Sequence, residues 1–169
     1  MPDTQVPDSS IPDEPLTAAQ RLEIFKFYEE AAEKAKAHAW SQTTWILTLN
    51  AGILAFSVTF FAEHRDTPAF LFIELLSAGV GVVLSGFLIY LLYELGKHIR
   101  NYWTQSNTIA ATYAPLRQFV GEKTAKAAEA PEYSAEFPPF CIRLQILAGL
   151  FIVAHVGWAS VVAWILNRA

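Results

Sequence analysis

Apolar positions fall into three long blocks separated by polar stretches, and each block has the length of a membrane-crossing helix. The first, 40–62, holds no charged residue. The second, 68–93, holds a single charge, Glu74. The third, 144–166, has His155 as its only ionisable group. Between the first two, Glu63, His64, Arg65, Asp66 and Pro68 crowd into a short polar stretch that leaves room only for a tight external turn at 63–67. The expected fold is therefore all-α: an integral membrane protein with three transmembrane helices, the first two forming a hairpin.

The segments flanking the blocks are helical in pattern too. Thr17-Ala-Ala-Gln20 has the form of a capping box and predicts a helix start. From there Ile24, Phe27, Tyr28, Ala31 and Ala35 recur at helical spacing among Glu and Lys, with no Gly or Pro before the first block. An amphipathic cytoplasmic helix at 17–39 should thus run straight into the first span. From Glu94 to Tyr113 there is no Gly after Gly96, and no Pro comes before Pro115, which predicts a long extension within 94–143, followed by a loop or weak surface helix at 123–130. Pro138 and Pro139 suit the first turn of the third helix. The region 1–16, with Pro2-Asp3, Pro7-Asp8 and Pro12-Asp13, is read as a disordered tail.

Composition agrees with this pattern. Hydrophobic residues make up 53% of the 169, a load that the core of a soluble domain this small does not absorb. A net charge of -4 argues against nucleic acid as a partner. Cys141 is the lone cysteine, so no intrachain disulfide forms. No charged n-region leads into an apolar run at the start, so no cleaved signal peptide is expected.

Orientation follows from the basic residues. Three spans put 17–39 and 94–143 on one side, and these two segments hold ten of the 12 Lys and Arg; Arg65 and Arg168 lie on the other. The positive-inside rule then places the N-terminus in the cytoplasm and the C-terminus in the periplasm, in a cell inner membrane. Trp40, Tyr90 and Tyr93 would anchor the inner edge, and Phe60, Phe61 and Trp164 the outer.

Polar groups inside the spans are the candidate functional residues, because hydrocarbon makes them costly. Glu74 shares a helical face with Ser77, Gly81 and Ser85, a face that fits either a polar lining or a close-packing seam. Asn50 lies between Thr43 and Ser57 at seven-residue intervals near mid-span, and His155 lies near the middle of the third span. Glu74, Ser77, Ser85, Asn50 and His155 are the candidate pore-lining or intramembrane polar residues. Gly81, Gly86, Gly149 and Gly157 are the candidate helix-packing positions. The His, Cys and carboxylate residues show no metal-ligand spacing, and no phosphate loop or nucleophile elbow is present. No catalytic residue, metal or cofactor is therefore expected, and the chain is not read as an enzyme.

The stretch from Tyr28 through Trp45-Ile-Leu-Thr-Leu-Asn-Ala-Gly-Ile-Leu54 resembles the first-span signature of small bacterial membrane proteins of the SLATT type and of the RipA-like octameric group. The resemblance covers about half the chain and extends to the aromatic and basic helix 97–113. SLATT proteins have two spans where this chain has three, and their Arg-rich run before the first span is Lys34-Ala-Lys36-Ala-His38 here. The resemblance implies a homo-oligomer in the cytoplasmic membrane of a bacterium and the role of a pore-forming or membrane-perturbing effector. The alternative is a non-conducting scaffold or accessory subunit of a larger complex. The expected partners are the lipid bilayer, further copies of the chain and an unidentified cytoplasmic protein.

Overall fold

The computed structural model describes residues 16–64 and 70–167. The tail read at 1–16 falls almost wholly outside them, as does most of the polar turn at 63–67. Five helices account for the described architecture: α1 (Ala18–His64), α2 (Phe70–Thr112), α3 (Ala114–Val120), α4 (Glu122–Ala127) and α5 (Pro139–Leu166). α1, α2 and α5 are each long and apolar enough to cross a membrane.

The ends of these helices follow local chemistry. At the start of α1 the backbone N–H of Thr17 donates to Gln20 Oε1 at 2.8 Å and the N–H of Gln20 donates to Thr17 Oγ1 at 3.3 Å, the reciprocal pair of a capping box. α1 then runs unbroken for 47 residues, roughly 70 Å at the helical rise and more than twice a hydrocarbon thickness. α2 stops at Thr112 and α3 restarts with Pro115 in its first turn, where a missing N–H costs nothing. Gly121, at φ 82°, links α3 to α4 in a conformation that a side chain rarely adopts. α5 opens on Pro139, five residues ahead of the apolar block read from the sequence, because proline suits the first turn and the helical pattern continues through Arg143.

α1 and α2 run antiparallel along their whole shared length. Tyr28 meets Tyr102, Asn50 meets Ser85, and Phe60 meets Phe70. α5 packs antiparallel to α2, with Gln145 Nε2 donating to the Ile89 carbonyl at 3.2 Å, and it runs parallel to α1. The buried positions repeat every seven residues. In α5 they are Cys141, Ala148, His155 and Val162; in α1, Thr43, Asn50 and Ser57; in α2, Ala78, Ser85, Leu92 and Ile99. This is the spacing of helices that wrap around one another with a left-handed twist. The central core is Ile46, Leu88, Leu92, Leu144 and Ala148. A second core, Phe25, Ala110 and Leu116, ties the far ends of α1 and α2 to α3 beyond the apolar section.

Two aromatic clusters bracket the apolar section. Trp40 stacks on Phe140, and Tyr93 on Phe137, at one end. Phe60, Phe61, Phe70 and Trp158 gather at the other. The 21 residues from Trp40 to Phe60 span about 30 Å at the helical rise, which matches the hydrocarbon core of a bilayer.

Candidate functional site

At mid-height the three helices meet around Asn50. Its position on α1 is fixed by the seven-residue stripe, and its Nδ2 donates back to the Ile46 carbonyl at 2.9 Å. That bond fixes the amide orientation, because the flipped amide would set oxygen against oxygen. Oδ1 is left facing α2 and α5. It accepts from Ser85 Oγ at 3.2 Å and lies 3.2 Å from His155 Nε2. An amide oxygen only accepts, so in this contact Nε2 carries a proton and donates. Asn50, Ser85 and His155 are all buried at 1% exposure or less. One residue from each helix thus contributes to a hydrogen-bonded junction at the middle of the apolar section, where a hydrocarbon surrounding would make unsatisfied polar groups most costly.

Gly81 makes the junction geometrically feasible. A Cβ built on it would fall on the His155 ring. Only a glycine lets the α2 backbone come this close to the imidazole. Gly86, Gly149 and Gly157 lie elsewhere: a Cβ on any of them would meet nothing within 4 Å. Among the four glycines read as packing positions, Gly81 alone packs within the chain.

Glu74 lies nearer the other end of the bundle and is 2% exposed. Trp158 Nε1 donates to its Oε2 at 3.1 Å, and the Ser57 hydroxyl lies alongside the carboxyl. Oε1 makes no hydrogen bond of ordinary geometry, and neither does Thr43 Oγ1 on α1. His155 pairs with Asn50 and not with Glu74, so the two ionisable groups of the spans belong to separate clusters. The carboxyl points into the three-helix bundle. A water path lined by Glu74 would have to open inside the bundle, not between subunits.

Ser77 sits apart from the other candidates. The buried seam of α2 runs Glu74, Ala78, Gly81, Ser85, with spacings of four, three and four, so it passes through Ala78. Ser77 is half-buried on the flank and lines an outward apolar groove with Trp45, Gly52, Leu76 and Val80. Trp158 and Gln145 are the contributors that sequence pattern alone left unmarked. Trp158 lies three residues after His155, on the same helical face, and that spacing was the available signal. No group of three or more His, Cys, Asp or Glu among the described residues could hold a metal ion. The chain matches no family model, no curated protein and no solved structure.

Proposed function

We propose that this chain is a multi-pass protein of a bacterial cytoplasmic membrane that acts as a non-conducting, self-associating scaffold. Its first two spans form a hairpin, and the long ends of α1 and α2 form a cytoplasmic stalk that presents a surface to a partner protein. The observation that carries this reading is the junction of Asn50, Ser85 and His155. Asn50, Ser85 and His155, the polar side chains at mid-height, are spent on one another inside one chain. Their chemistry is that of structural bonds between spans. The basic residues support the orientation, since ten of the 12 fall in the two segments assigned to the cytoplasm.

Purified protein in planar bilayers should show no conductance above the lipid baseline, while native mass of the detergent-extracted protein exceeds that of one chain. Reporter fusions at Gln118 should read cytoplasmic and fusions after Ala169 periplasmic. A stepwise single-channel current would overturn the scaffold reading in favour of a pore-forming effector. One observation favours that second reading: Glu74 Oε1 and Thr43 Oγ1 are buried and make no hydrogen bond of ordinary geometry. A rearranged bundle that let water reach them would satisfy both groups.

A further inference from the structure

Beyond the apolar section, a cavity of about 470 Å³ opens between the α2 extension, α4 and the segment leading to α5. Its size falls in the usual range for small-molecule sites. The walls are held by specific bonds. Asn107 Nδ2 donates to the Tyr133 hydroxyl at 2.8 Å, and the backbone N–H of Ala135 donates to Thr104 Oγ1 at 2.9 Å. Phe137 lies so close on Gly96 that a Cβ there would strike its ring. These contacts hold the segment against α2.

The lining carries unspent capacity. The Tyr133 oxygen accepts from Asn107, so its own hydrogen is free to donate, and Asn107 Oδ1 remains free to accept. Lys123 and Glu136 both border the cavity. Among the described residues neither makes an ion pair, with the other or with any third group. Trp103 and Tyr133 supply aromatic wall. Two opposite charges on one cavity, unpaired and set among aromatic and amide groups, match a ligand that carries both complementary charges. A lysine ammonium binds phosphate as a point charge. A carboxylate and aromatic faces on the same cavity each attract an ammonium.

We propose that this cavity binds a small zwitterion with an ammonium and a phosphate on a short spacer, the phosphate at Lys123 and the ammonium at Glu136. That chemistry has two sources, a soluble phosphoethanolamine-type metabolite or the headgroup of an ethanolamine phospholipid. The proposal is independent of whether the protein conducts.

The probe is glycerophosphoethanolamine, titrated calorimetrically into the full chain in lipid nanodiscs made of phosphatidylglycerol. Saturable binding at one site per chain is expected. Lys123→Gln and Glu136→Gln should each weaken it at least tenfold. Lys126→Gln, which changes a charge outside the cavity lining, should leave it unchanged. Glycerol phosphate and ethanolamine, each carrying one of the two charges, should bind at least tenfold more weakly than the probe. Nanodiscs containing phosphatidylethanolamine separate the sources: loss of probe binding there assigns the site to the lipid headgroup, and retention assigns it to the soluble form. Absence of saturable binding, unchanged affinity in both charge variants, or equal affinity for glycerol phosphate alone overturns the proposal.

Discussion

Gly81 on α2 lies directly against the imidazole of His155 on α5, with no room between them for a single methyl group. Gly81→Ala should therefore force the ring off Asn50 Oδ1 and separate α2 from α5. Gly81→Leu should do so more severely. Gly79→Ala, where a Cβ meets nothing within 4 Å, is the matched control and should be neutral. If the clash is with the ring, His155→Ala should partly rescue Gly81→Ala, giving a coupling energy of about 1–2 kcal/mol in a double-mutant cycle. Unfolding in detergent measures all four proteins. Additive losses would show that Gly81 acts elsewhere.

The Asn50 junction predicts a proton position. Nitrogen chemical shifts of His155 should show a proton on Nε2, because the amide oxygen that faces it only accepts. Asn50→Leu removes the shared acceptor and strands both Ser85 and His155. It should destabilise the protein by about 1–2 kcal/mol, the scale measured for hydrogen bonds between membrane helices. Leu at position 50 with no loss of stability and an unchanged imidazole signal would mean the three side chains do not meet.

The stalk responds to a different force. Inside a bilayer, apolar packing gains nothing from water exclusion, but the cluster of Phe25, Ala110 and Leu116 lies beyond the apolar section. Phe25→Ala should cost about 3 kcal/mol through lost burial and the cavity left behind. Hydrogen exchange should speed up in the first turns of α1, the last turns of α2 and α3, while the spans stay protected. Uniform exchange across the chain would show that stalk and spans unfold as one unit.

Three lengths of helix and their main boundaries were legible in the sequence because each has a local cause: the Thr17–Gln20 box, Pro115, and the Pro138-Pro139 pair. The polar residues of the spans were legible as well, since hydrocarbon makes each of them conspicuous. Their pairing was not. Whether His155 meets Glu74 or Asn50 depends on the depth at which α5 lies against α1, which is a matter of tertiary packing and not of local sequence. Ser77 illustrates the same point. A spacing of +3 and a spacing of +4 from Glu74 are equally good neighbours on an isolated helix, and only the packing of the other helices selects Ala78 for burial. The cavity beside Tyr133 gave no sequence signal, because its walls come from residues as far apart as Trp103 and Pro139.

Glu74 separates the scaffold from the pore. In the structure its Oε2 accepts from the indole of Trp158, and an amide oxygen can do the same. Glu74→Gln should therefore fold with little loss of stability and keep the Trp158 indole proton at its hydrogen-bonded shift. Glu74→Leu leaves that indole N–H without its acceptor at a part-buried site and should cost about 1 kcal/mol. These two outcomes follow from an inward carboxyl that serves packing. A carboxylate lining a narrow water path would behave otherwise: rings of such charges select cations, so the neutral amide would lower cation preference while leaving the shape intact. Reversal potentials across a salt gradient, measured beside the stability of both variants, distinguish the two. A cation-selective current in the wild type that loses selectivity in Glu74→Gln would place the residue in a conducting path and remove the scaffold reading. No current in either protein, with stability lost only in Glu74→Leu, is the expected result.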